Sequence, residues 1–414
     1  MNKEELNIPS DERQYSLNFI RKNNAFFISE DSEKVTAGYT EKTPESALES
    51  IRTYHGKKIE FIKVEQSKLA YWIGKKDGLN DDEKIIPEGE AKSRHVYPGD
   101  FLLTNSMSFG RAFITRIDGY IHDGWLRLRP NKELLDKEYL YYFLTSSLAQ
   151  NQLKAVATGS VVNNLKSDTV KAVWIDLPQL EVQKAIAKTL SVFDEKIVAN
   201  NEINKNLQQQ AQAIYSHMMI ENSDVSWTSG NLSDIALITM GQSPKGDTYN
   251  EDGIGTVFFQ GRAEFGFRFP TRRLYTTDPK RMAQANDALM SVRAPVGDMN
   301  VAYEDCCIGR GLSAIRSKDN HQSFVLYTML NLREQLNVFN GEGTVFGSIN
   351  KDALNSMPIR IPPVDIIDQF EEVVSPMDRA IRCNYEEICR LTDVRDSLLP
   401  RLMSGELDVS ELEL

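Results

Sequence analysis

The densest chemistry in this chain is the run FFQGRAEFGFRFPTRRLY at residues 258–275, where Arg262, Arg268, Arg272 and Arg273 alternate with Phe265, Phe267, Phe269 and Tyr275. Gln260 stands at its start, before a glycine. Guanidinium forks match phosphate oxygens and guanine edges, and a carboxamide pairs with adenine, so the chemistry on offer is recognition of nucleic acid. A hairpin with aromatics on the core and arginines in water is the compatible structural alternative. The loop SVRAPVG at 291–297 places Arg293 just after an expected strand, and TNSMSFG at 104–110 carries Ser106 and is followed by Arg111. Strand-end loops commonly carry contacts, although a purely structural turn explains them equally well. In the first half Lys57 and Lys58 flank the apolar run IEFIKV, as candidate phosphate contacts.

Catalytic patterns are missing. The chain has no GxxxxGK followed by Ser or Thr and no GxGxxG, and GEGTVFG at 341–347 has the wrong spacing. Pro362 and Pro363 lie between Ile361 and Val364, which is not the Asn/Asp-Pro-Pro-aromatic string of a DNA methyltransferase. The five histidines are scattered without metal-binding spacing. Cys306, Cys307, Cys383 and Cys389 form no CxxC pair and read as reduced, structural thiols. No catalytic residue and no metal are therefore expected.

Composition and charge set the class. With 414 residues, 41% hydrophobic and 26% charged, the chain has room for two cores, and no apolar run reaches membrane-spanning length. The polar, acidic start does not read as a signal peptide, so a cytoplasmic protein without a membrane partner is expected. The net charge of −11 argues against nucleic acid until its distribution is considered. Residues 362–414 hold 13 Asp and Glu against five Arg, leaving the first 361 residues nearly neutral and free to form local basic faces.

The chain also repeats itself. Residues 100–130 match 287–317 at a constant shift of 187, with Asp100/Asp287, Gly110/Gly297, Gly124/Gly311 and Arg129/Arg316 coinciding. From Gly159 onward the shift is 184, pairing Asp168/Asp352, Asp194/Asp378 and Asn200/Asn384. Each copy is long enough to be a domain, so this is a duplication and not a solenoid. Each copy closes on prolines, after which the apolar spacing alternates between four and three. The seam so defined is Ile186, Leu190, Phe193, Ile197, Asn200 and Leu207 in the first copy, and Val374, Met377, Ile381, Asn384, Leu391 and Leu398 in the second. An Asn at a seam position fixes alignment at some cost in stability. An amphipathic helix lying on its own domain is the alternative. The expected fold is α+β: mixed bodies at 1–178 and 222–361, long helices at 179–221 and 362–414 including an acidic tail, and an antiparallel helix pair with internal pseudo-two-fold symmetry.

The chain resembles the specificity subunit of a Type I restriction-modification enzyme. The resemblance is carried by SVRAPVGDMNVAYEDCCIGRGLSAI at 291–315, GQSPKGDTYN at 241–250, and the helix starts LPQLEVQKAIAKTLSVFDEKI and IPPVDIIDQFEEVVSPMDRAI. The first copy repeats the frame more weakly in TNSMSFG, IHDGWLRL and ATGSVVNNLKSD. It implies two target-recognition domains that each read half of a split site on double-stranded DNA, and long helices that hold two modification subunits. Restriction subunits would join the full complex. It assigns S-adenosylmethionine to the modification subunit and ATP to the restriction subunit, with no cofactor on this chain. A two-domain scaffold that joins proteins without reading DNA is the alternative of a different class.

Overall fold

The computed structural model describes residues 95–105, 109–121, 124–157, 165, 170–340 and 347–409. Before residue 95 it describes only backbone strands, among them Val35–Tyr39, which pairs antiparallel with Phe26–Glu30 and parallel with Lys57–Lys63. Two compact units result, one of residues 1–195 with 391–414 and the other of residues 196–390. Both limits fall inside helices, because Leu180–Tyr215 and Val364–Met403 each run unbroken through a boundary. Each unit is thus a mixed body together with a piece of each long helix.

The second body is built on two sheets. Ala236–Met240, Leu312–Ser317, Ala288–Ser291 and Met299–Val301 form an antiparallel four-stranded sheet in that order. A five-stranded sheet has Thr256–Phe259 beside Cys306–Ile308, the one parallel pairing among its strands. Strands ALMS and CCI are buried throughout, as continuous small and apolar runs require when both faces are covered. The body is closed by a neck in which Thr228–Asn231 pairs antiparallel with Pro358–Ile361. Pro358 starts its strand, a position where the missing N–H is tolerated. In the first unit Phe101–Thr104 lies between Trp125–Leu128 and Ala112–Ile114, all antiparallel, which repeats three of the four strands of the antiparallel sheet in the second.

The long helices pair with each other within each unit. In the second unit the Asn200 carboxamide donates to Glu387 at 2.8 Å, and that of Asn384 donates to Asn204 at 2.8 Å. The partner number falls as the helix number rises, so the pair is antiparallel. Val374 and Ile381 are buried in the core of this unit, with Leu207 and Met377 packed against it. In the first unit Ile186 and Leu190 share a core with Leu399, Leu402 and Met403, with Leu398 packed against it. Phe193, Ile197 and Leu391 are half-buried.

One departure from the seam is systematic. Continued past Leu207, the same spacing reaches Ile214 and Met218, yet the buried residues are Tyr215 and, in the π-helical turn Ser216–Glu221, Met219; toward the end of the second helix Leu399 is more buried than Leu398. A straight α-helix drifts by about 20° per heptad against a 3.5-residue repeat, so four heptads displace the buried face by nearly one residue, as at Tyr215 and Leu399, while at Met219 the π turn also changes the winding. Among the described residues no helix is long and apolar enough to cross a membrane, and no cluster of His, Cys, Asp and Glu could hold a metal ion.

Candidate nucleic-acid interface

At one end of the sheets in the second body three loops press together. Gly241 follows strand Ala236–Met240, Gln260 follows Thr256–Phe259, and Gly309–Gly311 joins Cys306–Ile308 to Leu312–Ser317. The Gly309 N–H donates to the Phe259 carbonyl at 2.8 Å and the Gln242 N–H to the Ile308 carbonyl at 2.9 Å. A Cβ on Gly241 would lie 2.1 Å from the Gly309 oxygen, and one on Gly311 would lie 2.7 Å from the Gln260 oxygen. Glycine is required at both places for the backbones to meet. The side chains of Gln242, Lys245, Gln260 and Arg310 are exposed on these loops. Lys245 and Arg310 make no ion pair with a described residue. The loop after Ala288–Ser291, which holds Arg293, starts from the same sheet end, since Ser291 is the register partner of Leu312. Arg293 is also exposed and makes no ion pair with a described residue. Two carboxamides and three unpaired cations on glycine-braced loops suit base edges and phosphates.

The arginine run behaves differently from the expectation. Arg268 is 6% exposed, with its guanidinium 2.7 Å from Asp378 and 2.9 Å from the Tyr327 hydroxyl. It therefore ties the body to the second helix and has no surface to offer DNA. The physical reason is that a buried guanidinium needs an anion, which the half-buried carboxylate of Asp378 supplies. Burial pushes the Tyr327 hydroxyl well above its ordinary range. Arg272 pairs with Glu304, Arg273 with Glu264 and Arg262 with Asp298, all three guanidiniums lying at least half exposed. Neutralised in this way, they are weaker candidates for phosphate contact than Arg310. Phe269 packs with Tyr303 and Tyr385, and Arg382 lies 4.4 Å from the Tyr303 ring centroid, completing the contact of body with helix.

In the first body Arg111 is exposed at the head of Ala112–Ile114, its N–H donating to the Thr104 hydroxyl at 2.8 Å. Ser106 and the side chains of Lys57 and Lys58 lie outside the described residues. Of the residues singled out from sequence, Gln260, Arg262 and Arg293 lie at this loop end, where Gln242, Lys245 and Arg310 lie too. The signal for these was the glycine punctuation of GQSPKG and GRG, where tight backbone contact holds exposed polar side chains in place.

Comparison with known proteins agrees with this architecture. The model of the Type I restriction modification DNA specificity domain matches the chain twice, over residues 40–209 and 224–388. A Methanocaldococcus jannaschii protein named for the MjaX type I restriction enzyme as its specificity subunit is 32% identical over 84% of this chain and 89% of its own length. The MjaIX specificity subunit of the same organism is 25% identical over 82% and 87%. The crystal structure of the Type I restriction-modification system S subunit from M. genitalium is 18% identical, covers 82% of this chain and 91% of its own, and superposes with a TM-score of 0.50, a likeness of fold. The chain belongs to the Type I restriction-modification DNA specificity family.

Proposed function

We propose that this chain is the non-catalytic DNA-recognition subunit of a Type I restriction-modification complex, each body reading one half of a split duplex site. The observation that carries the reading is the loop end of the second body, where Gln242, Gln260, Lys245 and Arg310 are exposed on backbones that glycine contacts hold rigid. Family membership, with one domain match per body, supports the same reading. The long helices hold the modification subunits, which bring S-adenosylmethionine and the methyl-transfer chemistry. Restriction subunits bring ATP.

The test is duplex binding across a salt series with the modification subunit present. Lys245→Ala with Arg310→Ala lowers affinity and reduces the salt slope by about one unit per lost phosphate contact. Arg272→Ala, whose charge already faces Glu304, changes the slope less. An unchanged slope in the first variant, with the fold intact, overturns the assignment.

A further inference from the structure

A cleft of about 700 Å³ opens in the first unit between the sheet and the start of the first long helix. Phe101, Leu128 and Leu180 give it an apolar floor, and Arg129, Lys132, Lys137 and Lys184 give it four cations. Its two carboxylates are already committed. Asp100 holds Arg127 at 2.7 Å, and Asp136 accepts the Glu138 and Tyr139 N–H groups at the start of helix Lys137–Thr145. Lys184 has only a surface partner, Glu181. Arg129, Lys132 and Lys137 are exposed and make no ion pair with a described residue.

In the duplicated frame three of these four positions are occupied or partnered differently. In the second unit Arg316, the counterpart of Arg129, is clamped by Asp287 at 2.7 and 2.8 Å. Lys137, the first residue of its helix, corresponds to Gln322, whose side chain accepts the Ser317 N–H at 2.8 Å. The place of Lys184 is taken by Asp368, paired with His321. The same elements assemble there without a free cation at these three positions. In the first unit Asp100 has exchanged partners to Arg127, which leaves Arg129 available.

The cleft also lies away from the loop end. It is lined by Phe101 and Leu128, which are register partners, whereas the counterpart of the reading loops follows Thr104 and precedes Trp125 at the other end of the same strands. We propose that this cleft binds a phosphorylated small molecule of nucleotide size, its phosphates held by Arg129, Lys132 and Lys137 and its organic part resting on Phe101, Leu128 and Leu180. Cleft volume and an apolar surface with a few converging charges fit a small-molecule site, and guanidinium with ammonium groups fits clustered phosphates.

The test uses the full chain with inorganic tripolyphosphate and a nucleoside triphosphate in calorimetric titration, and duplex binding in parallel with the modification subunit. Both small probes bind saturably, the nucleoside triphosphate more tightly. Arg129→Gln with Lys132→Gln weakens both about tenfold or more, the size of one lost charge-assisted contact. Duplex binding stays at the parent level. No saturable binding of either probe, or binding indifferent to the two substitutions, overturns the site. A loss of duplex affinity alone also overturns it, by making the cleft a contact for the DNA backbone.

Discussion

Arg268 and Arg310 show what a residue's surroundings do to a charge that the sequence shows only as a charge. Arg268 lies in the most basic and aromatic run of the chain, yet its partner Asp378 is 110 residues away on the second helix. Local spacing contains no trace of that pairing. Arg268 is buried, whereas Asp378 is half-buried and keeps the Tyr327 hydroxyl, so losing the arginine costs about 1–3 kcal/mol. Arg268→Ala is therefore expected to lower unfolding stability by that amount in urea denaturation, while Arg272→Ala, an exposed pair, costs within about 1 kcal/mol. Comparable losses for both would mean that Arg268 is not the anchor. The cysteines divide by the same logic. Cys306 and Cys307 are buried in one strand, with burial pushing the Cys306 thiol up to about 12, whereas Cys383 and Cys389 are exposed. A thiol reagent at neutral pH should modify Cys383 and Cys389 in the native chain and reach the other two only after unfolding. Fast reaction of four thiols in the folded protein would contradict this burial.

At the scale of elements the helices were the most legible part, because a repeat held over several heptads has few alternative explanations. What the repeat did not reveal was its own drift, which handed burial to Tyr215 and Leu399 as the helices ran on. Nor could it show how seam polars would pair. The Asn384 carboxamide donates to the Asn204 oxygen across the helices, and Asn204 is 2% exposed. Asn384→Leu leaves the Asn204 carboxamide oxygen without its donor, at about 1–3 kcal/mol. Adding Asn204→Leu replaces both polar groups with apolar ones and should recover most of that loss. A double-mutant cycle by chemical denaturation reads the difference as a coupling energy. Strictly additive losses would show that the two amides do not depend on one another. Glu371 is a further tertiary effect invisible in sequence: its carboxylate accepts the Ser323 and Phe324 N–H groups and so caps a helix of the body from outside it.

Along the whole chain a mixed body precedes each long helix, and the duplication in the sequence shows that order in both halves. The differences between the bodies were readable only as a failure to match. In the second body the neck strands Thr228–Asn231 and Pro358–Ile361 pair directly, so the chain leaves and rejoins the helical frame at one place. The intervening segment, residues 232–357, carries the loop end with Gln242, Gln260 and Arg310, but it also carries Arg268 and Tyr303, which contact Asp378 and Glu386 on the second helix. A replacement body must therefore bring partners for those two carboxylates as well as its own loops. Exchanging residues 232–357 for the corresponding segment of another family member, with Asp378 and Glu386 matched to the donor, should change one half of the methylated site and leave the other half as in the parent. Mapping methylation in cells that co-express the modification subunit checks this. Altered bases in both halves would mean that the bodies do not read independently. Loss of methylation with an intact fold, cured by restoring Asp378 and Glu386, would place the failure at the contact between body and helix.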